Sequence, residues 1–254
     1  KIKEWTDAWV QRLGMMQTEE EAIWSTEMEI EAQHYFQPIF DRLRKTPDGS
    51  LLSDLVNTEI PEWERTLTNE ELHAEMMADT FVGGSETSTN AISAGVMLLI
   101  QQPAQWQLLK TNPNKYLPIL VEEILRLEGP VQGLFRETSE DVTLHGILIP
   151  KGSVVNVRYA SANLDEDMFD TPELLNLERP NARKHLAFGF GTHYCMGAPL
   201  ARREILLSFK ALIERVDEMW FIEGANDFTH HQNFCLRALR ELHIGFEPSC
   251  THSV

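Results

Sequence analysis

Apolar positions recur at helical spacing from the first residues, with Ile2, Trp5, Trp9 and Leu13 on one face of a predicted helix. Thr18-Glu19-Glu20-Glu21 reads as a capping box, a hydroxyl and a carboxylate three residues apart, opening an amphipathic helix to about Arg44. Pro47-Asp48-Gly49-Ser50 predicts a turn ending in a helix cap, followed by a short helix over 51–56. A second capping box, Thr68-Asn69-Glu70-Glu71, opens a run predicted as one unbroken helix over about 69–102, stopped by Pro103. At 1.5 Å per residue such a helix is roughly 50 Å long. Two shorter helices follow, over about 104–111 and 115–128. The texture then changes. Alternation over 134–157, broken at Gly146 and at Pro150-Lys151-Gly152, predicts short antiparallel strands joined by tight turns. A loop-rich stretch, 160–197, leads into a helix from 198 to about 216, and 239–246 alternates like a strand. No repeat, low-complexity tract or linker interrupts the pattern. The expected architecture is mainly α with a minor antiparallel β region, in a single domain over 1–254.

Composition narrows the possible partners. A formal net charge of −17 argues against a nucleic-acid partner and against an anionic membrane surface. The longest apolar run, 94–100, is too short to span a bilayer, and no basic leader precedes an apolar stretch. Cysteines stand only at 195, 235 and 250, an odd number without framework spacing, which points to a reducing cytoplasm. Without a Cys-x-x-Cys pair, a structural zinc site is not expected.

Chemistry concentrates in three places. The run Phe188-Gly189-Phe190-Gly191-Thr192-His193-Tyr194-Cys195-Met196-Gly197 sets one thiol among glycines just before a helix. Glycines at 189, 191 and 197 allow positive φ and close approach to a flat ligand. A thiol near a helix N-terminus has its anion stabilised, which suits the axial ligand of a haem iron. On the residues alone, a buried structural cysteine and a nucleophile paired with His193 stay open. In the long predicted helix, the adjacent Gly83 and Gly84 each cost about 1 kcal/mol relative to alanine. They imply a close approach or a bend, and Glu86 and Thr87 directly after them can relay protons. The alternative is a glycine-mediated helix crossing with Glu86 and Thr87 solvated. Glu123 and Arg126 stand three apart on one helix face, which on a surface is an ordinary pair worth about 0.2–0.5 kcal/mol.

Taken in order, these segments resemble the cytochrome P450 superfamily, of the soluble bacterial type. Residues 188–197 fill every fixed position of Phe-Gly-x-Gly-x-His-x-Cys-x-Gly, Gly83 to Thr87 resembles the oxygen-activation motif, and Glu123-x-x-Arg126 resembles the E-x-x-R helix. The resemblance covers essentially the whole chain but only the C-terminal part of such a protein. It implies a cytochrome P450-like fold incomplete at the N-terminus, without the earlier helices, N-terminal strands and W-x-x-x-R helix.

The cofactor implied is haem b, iron protoporphyrin IX, with Cys195 thiolate as axial metal ligand and Phe188, Gly189 and Gly197 shaping its bed. Arg136 and His193 are implied as donors to the haem propionates, although Arg136 could equally pair with Glu137 or Glu140. Glu86 and Thr87 are implied as the catalytic residues, delivering protons and hydrogen-bonding the oxygen being activated. Arg179 is implied to join Glu123 and Arg126 in a structural triad. Gly83, Val131, Leu134, Phe135 and Phe234 are implied to line an apolar pocket, with Gln132 and Asn233 among its few polar groups.

The activity implied is that of a monooxygenase that inserts one oxygen atom from O2 into a small apolar organic substrate. Its electrons would come from a ferredoxin or flavodoxin-like donor. Between Arg179 and Lys210 six basic residues (179, 183, 184, 202, 203, 210) face a single acid, Glu204, a patch suited to docking an acidic donor unless several are consumed internally. A peroxide-driven relative, and a truncated or non-catalytic haem-binding segment, are the alternatives that use the same residues.

Overall fold

A computed structural model describes residues 1–249 and divides into two compact units, Lys1–Glu86 and the part that begins at Thr87. Cys250 lies outside the described residues. The first unit is helical: α1 (Ile2–Leu13), α2 (Glu19–Lys45), α3 (Leu51–Asn57), α4 (Asn69–Ala74) and a π-helical stretch, Glu75–Glu86. Both expected capping boxes are formed. The Thr18 hydroxyl accepts from the Glu21 N–H while the Glu21 carboxylate accepts from the Thr18 N–H, and Thr68 and Glu71 do the same. Each box satisfies two N–H groups that a helix start otherwise leaves without partners. The core of this unit joins Trp5 of α1 to Phe36, Phe40 and Leu43 of α2 and to Leu72 and Met77. Beside it, His73 Nε2 lies 2.6 Å from Glu29 Oε1, a nearly buried link between α4 and α2.

The second unit holds α5 (Thr87–Gln101), α6 (Pro103–Thr111) and α7 (Pro113–Glu128), then β1 (Leu134–Glu137), β2 (Val142–Leu144), β3 (Ile147–Ile149) and β4 (Val154–Val157). After a short α8 (Tyr159–Ala162) come α9 (Ala198–Arg215), β5 (Val216–Phe221) and β6 (Ile244–Pro248). Prolines open α6 and α7, where a missing N–H costs nothing. The strands form three antiparallel pairs, β1 with β4, β2 with β3 and β5 with β6. β2 turns into β3 at His145 and Gly146, both with positive φ (48° and 79°), as a tight hairpin turn matching the strand twist requires. The core here gathers Ala91 and Leu98 of α5, Leu120 and Ile124 of α7, and Ile205 and Phe209 of α9.

Two expectations need correction. The run over 69–102 is not one α-helix: the pattern leaves α at Ala74, is π over Glu75–Glu86, and returns to α at Thr87. A π ladder bonds five residues back and is tolerated where α is weak, here at the adjacent glycines 83 and 84. Of the alternating stretch 239–246, only Ile244 onward is strand, and its partner β5 follows α9 with no glycine or proline between them. With no turn signal at Arg215, local pattern extends the helix and hides the strand. A Cβ placed on Gly95 would meet Ile124 Cδ1 at 2.4 Å and Phe209 Cζ at 2.6 Å, so α5 approaches α7 and α9 only because that position has no side chain. Gly95→Ala is therefore expected to destabilise the protein by about 1–3 kcal/mol through overpacking, read as a lower urea midpoint at unchanged slope. A midpoint equal to wild type would show that these helices separate freely.

Candidate functional site

Cys195 sits in a loop closed on itself by backbone bonds. Its N–H donates to the Phe188 carbonyl at 3.0 Å, the Gly189 N–H to Leu186 at 2.8 Å, and the Tyr194 N–H to Gly191 at 3.0 Å. Gly189 and Gly191 adopt φ of 70° and 76°, the left-handed region that other residues rarely enter. Gly197 does not: its φ is −77°, an ordinary helical value. A Cβ there would lie 3.7 Å from the Cys195 sulfur, an ordinary van der Waals contact, so neither φ nor space requires glycine at 197. The Cys195 carbonyl accepts from the Ala198 N–H at 3.3 Å, which puts the thiol at the start of α9. Cys195 is exposed, so it is not a packed structural cysteine; Cys235 is the buried one. Among the described residues no hydrogen bond joins Cys195 to His193, as a Cys/His nucleophile would need. Phe190 and Met196 beside it are 85% and 92% exposed, apolar surface on either side of the sulfur.

Glu123, Arg126 and Arg179 converge, all buried. Arg126 donates from Nε to Glu123 Oε1 at 2.6 Å and from Nη2 to Oε2 at 2.9 Å, a two-pronged pairing. Arg179 Nε lies 3.0 Å from Glu123 Oε1 as an ion pair, without the alignment of a hydrogen bond. The spare guanidinium donors are not idle. Arg126 serves the carbonyls of Asn163, Pro172 and Leu174, and Arg179 those of Asp170, Thr171 and Leu174. Phe169 lies beneath both guanidinium groups. The surface-pair reading of Glu123 and Arg126 is excluded.

One residue earlier on α7, Glu122 is a site that sequence reasoning missed. It is buried, yet three cationic or polar groups reach it: Arg183 Nε at 3.1 Å, Arg202 Nε at 2.9 Å and His185 Nε2 at 3.0 Å. Burial would raise its pKa, but the hydrogen bonds from His185 and Arg202 prevail and hold it at about 2, against an ordinary 4.5. Its only sequence signal is its place beside Glu123 on an apolar helix. This network also revises the basic patch. Arg179 is buried against Glu123, and Arg183 and Arg202 are engaged by Glu122. Lys184, Arg203 and Lys210 remain exposed.

In the first unit, Gly83 is exposed and Glu86 is partly buried within the π stretch. Glu86 is neither solvated nor unpaired: Oε1 lies 3.1 Å from Lys3 Nζ and accepts from Thr6 Oγ1 at 3.2 Å, both on α1. Thr87 opens α5, and the adjoining Ser88 hydroxyl donates to Glu204 of α9 at 2.5 Å.

Arg136 lies on β1 opposite Val155 and is exposed, with its guanidinium donating to the Phe135 carbonyl at 2.7 Å. It pairs with neither Glu137 nor Glu140 among the described residues. His193 is exposed as well. Val131 bridges Leu236, and the Gln132 N–H donates to the Cys235 carbonyl at 2.7 Å, which sets the 131–135 stretch beside the turn carrying Phe234. Arg158 fixes that turn through the Phe234 carbonyl at 2.8 Å. Leu134, Phe135 and Phe234 are all exposed apolar side chains.

The donor set of this second unit fits haem: one exposed sulfur on a glycine loop at a helix start, uncovered aromatic and aliphatic side chains, and two exposed groups, Arg136 and His193, able to meet carboxylates.

A family model described as Cytochrome P450 matches residues 16–217. The chain is 33% identical over 246 residues to cytochrome P450 CYP107DY1 of Priestia megaterium, covering 97% of this chain and 58% of that protein. It is 34% identical over 206 residues to a steroid C26-monooxygenase of Mycobacterium tuberculosis, covering 81% of this chain and 54% of that one. Among solved structures, that of P450BioI in complex with an acyl carrier protein ligated to hexadec-9Z-enoic acid superposes with a TM-score of 0.87 at 30% identity. That match covers 97% of this chain and 61% of the other. The chain thus spans little more than half the length of the curated relatives it matches.

Removing the carboxylate at position 123 strands two buried guanidinium groups. Glu123→Ala is expected to cost about 3–5 kcal/mol, measured by urea denaturation; a loss under 1 kcal/mol would show that water relieves them. Glu122 gives a pH dependence. Its folded pKa lies below the ordinary value, so its contribution is fully present above pH 4.5 and is lost as pH falls toward 2. The unfolding free energy is expected to drop across that window more steeply in wild type than in Glu122→Gln, and parallel curves would remove Glu122 as the cause.

Proposed function

Because the chain belongs to the cytochrome P450 family, we propose that the protein it forms is a haem-thiolate monooxygenase acting on a small apolar organic substrate. The observation that carries this reading is the exposed Cys195 sulfur on its closed glycine loop at the start of α9. The cofactor would be haem b, which when bound supplies the activation of O2 and the insertion of one of its oxygen atoms.

The chain's own groups take the remaining work. The α9 N-terminus lies beside Cys195, where its dipole complements a sulfur ligand that carries negative charge. Arg136 and His193 hold the propionates by charge-assisted bonds, an arrangement supported by Arg136 being exposed and forming no ion pair among the described residues. Glu86 passes protons and the Thr87 hydroxyl positions them, following the family motif. Lys3 and Thr6 orient the Glu86 carboxylate from α1. Val131, Leu134, Phe135 and Phe234 of the second unit bind substrate, and Gly83 is assigned to substrate contact by the family resemblance alone. The relative named a steroid C26-monooxygenase supports an apolar substrate here.

Electrons come from a ferredoxin or flavodoxin-like donor that docks on Lys184, Arg203 and Lys210, the members of the basic cluster not engaged by Glu122 or Glu123. Two free thiols, Cys195 and Cys235, support a reducing cytoplasm as the compartment. No helix among the described residues is long and apolar enough to cross a membrane.

The reduced, carbon-monoxide-bound spectrum of the full-length protein tests the reading directly. Wild type is expected to show the strongly red-shifted Soret band of thiolate ligation, and Cys195→Ser to lack it. A haem that binds through another side chain overturns the proposal. Thr87→Ala is expected to keep the band while diverting reducing equivalents to released hydrogen peroxide. Unchanged coupling of reductant to product would remove Thr87 from its assigned role.

A further inference from the structure

We propose that Arg202, oriented by Glu122, is a positioning residue that fixes the Cys195 loop in its ligating shape, a proposal that rests on the haem-thiolate reading. Arg202 grips Glu122 with two prongs, Nε to Oε1 at 2.9 Å and Nη2 to Oε2 at 3.0 Å. This pairing leaves the guanidinium one orientation. Its third nitrogen, Nη1, then meets the Tyr194 hydroxyl at 3.1 Å, and its plane lies over the Phe188 ring with Cζ 4.6 Å from the centroid. These two residues bracket the sulfur. Tyr194 is bonded to Cys195 along the chain, and the Phe188 carbonyl accepts the Cys195 N–H at 3.0 Å. The two rings also approach each other, with centroids 6.3 Å apart. One planar cation therefore holds both arms of the loop.

His185 extends the same device to the chain entering the loop. Its Nε2 lies 3.0 Å from Glu122 Oε2, and its Nδ1 accepts from the Ala187 N–H at 3.1 Å. That pair of bonds assigns the ring proton to Nε2 and fixes the backbone one residue before Phe188. Glu122 thus receives the anchors of both approaches to the thiol, although it lies 73 positions from Cys195. Arg183 adds a further bond to Oε1 from an exposed side chain, which reaches no loop residue in this network. The sequence cue for a donor-docking role at Arg202 is accounted for by this internal duty.

A lysine at 202 keeps the charge but loses the fork and the flat face that covers Phe188. The test uses haem-loaded, full-length protein: wild type, Arg202→Lys, Glu122→Gln and Tyr194→Phe. Measured are the Soret position of the reduced carbon-monoxide complex, the reduction potential, the rate of haem transfer to an acceptor globin, and fold by circular dichroism. Arg202→Lys is expected to stay folded, lose haem about 10–100-fold faster, and convert from the red-shifted to the unshifted Soret form. Glu122→Gln is expected to follow it, and Tyr194→Phe to move the same readouts less. A folded Arg202→Lys with wild-type Soret position, potential and transfer rate overturns the proposal. So does an unfolded Arg202→Lys accompanied by a spectrally silent Tyr194→Phe, because the role would then be plain stability. A wild type without the red-shifted band sinks the haem-thiolate reading itself, and the positioning role with it.

Discussion

Two neighbouring carboxylates on α7, Glu122 and Glu123, are taken out of water side by side, and the second unit is organised around the cations they require. An ionised carboxyl inside protein costs several kcal/mol unless paired and hydrogen-bonded. Successive side chains on a helix point about 100° apart, so the two acids cannot share partners. Glu123 gathers Arg126 and Arg179, whose remaining donors take up carbonyls between Asn163 and Leu174. Glu122 gathers Arg202, His185 and Arg183 and so reaches the approaches to Cys195. The long connection between α8 and α9 has little regular structure, and five of its carbonyls accept from Arg126 and Arg179. Without the acids, the cations would have no reason to sit there.

How much of this could be read from the chain depended on range. Helix starts were legible because a capping box is a four-residue matter, and Thr18 with Glu21 and Thr68 with Glu71 both close as their spacing implies. The 134–157 region was legible because Gly146 and Gly152 need positive φ, and both have it. The π stretch was not, because Met76, Met77 and Val82 keep an apolar face compatible with either ladder. β5 was hidden because its partner lies more than twenty residues further on.

At the candidate site the same division holds. The Cys195 loop declares itself through its glycines, yet only Gly189 and Gly191 use their freedom, since Gly197 has an ordinary φ and room for a Cβ. Glu123 and Arg126 are linked by spacing alone, while Arg179 could be reached only by resemblance. Glu122 looked like a second charge beside the first, and its partners lie 61 to 80 positions away. Counting basic residues between 179 and 210 therefore overstated the exposed positive surface, since long-range pairing decides which arginines face water.

The Phe188–Gly197 loop closes its backbone within its own ten residues, but the placement of its aromatic side chains depends on groups from elsewhere. Its aromatic arms wait on a guanidinium from α9, that guanidinium waits on a carboxylate from α7, and the segment entering the loop waits on His185. Closing such separations demands chain entropy before any contact repays it, so these connections come late in the ordering of the polypeptide. The thiol's cradle is a finishing step: α7 and α9 must already be seated against each other before the sulfur has a defined place to stand.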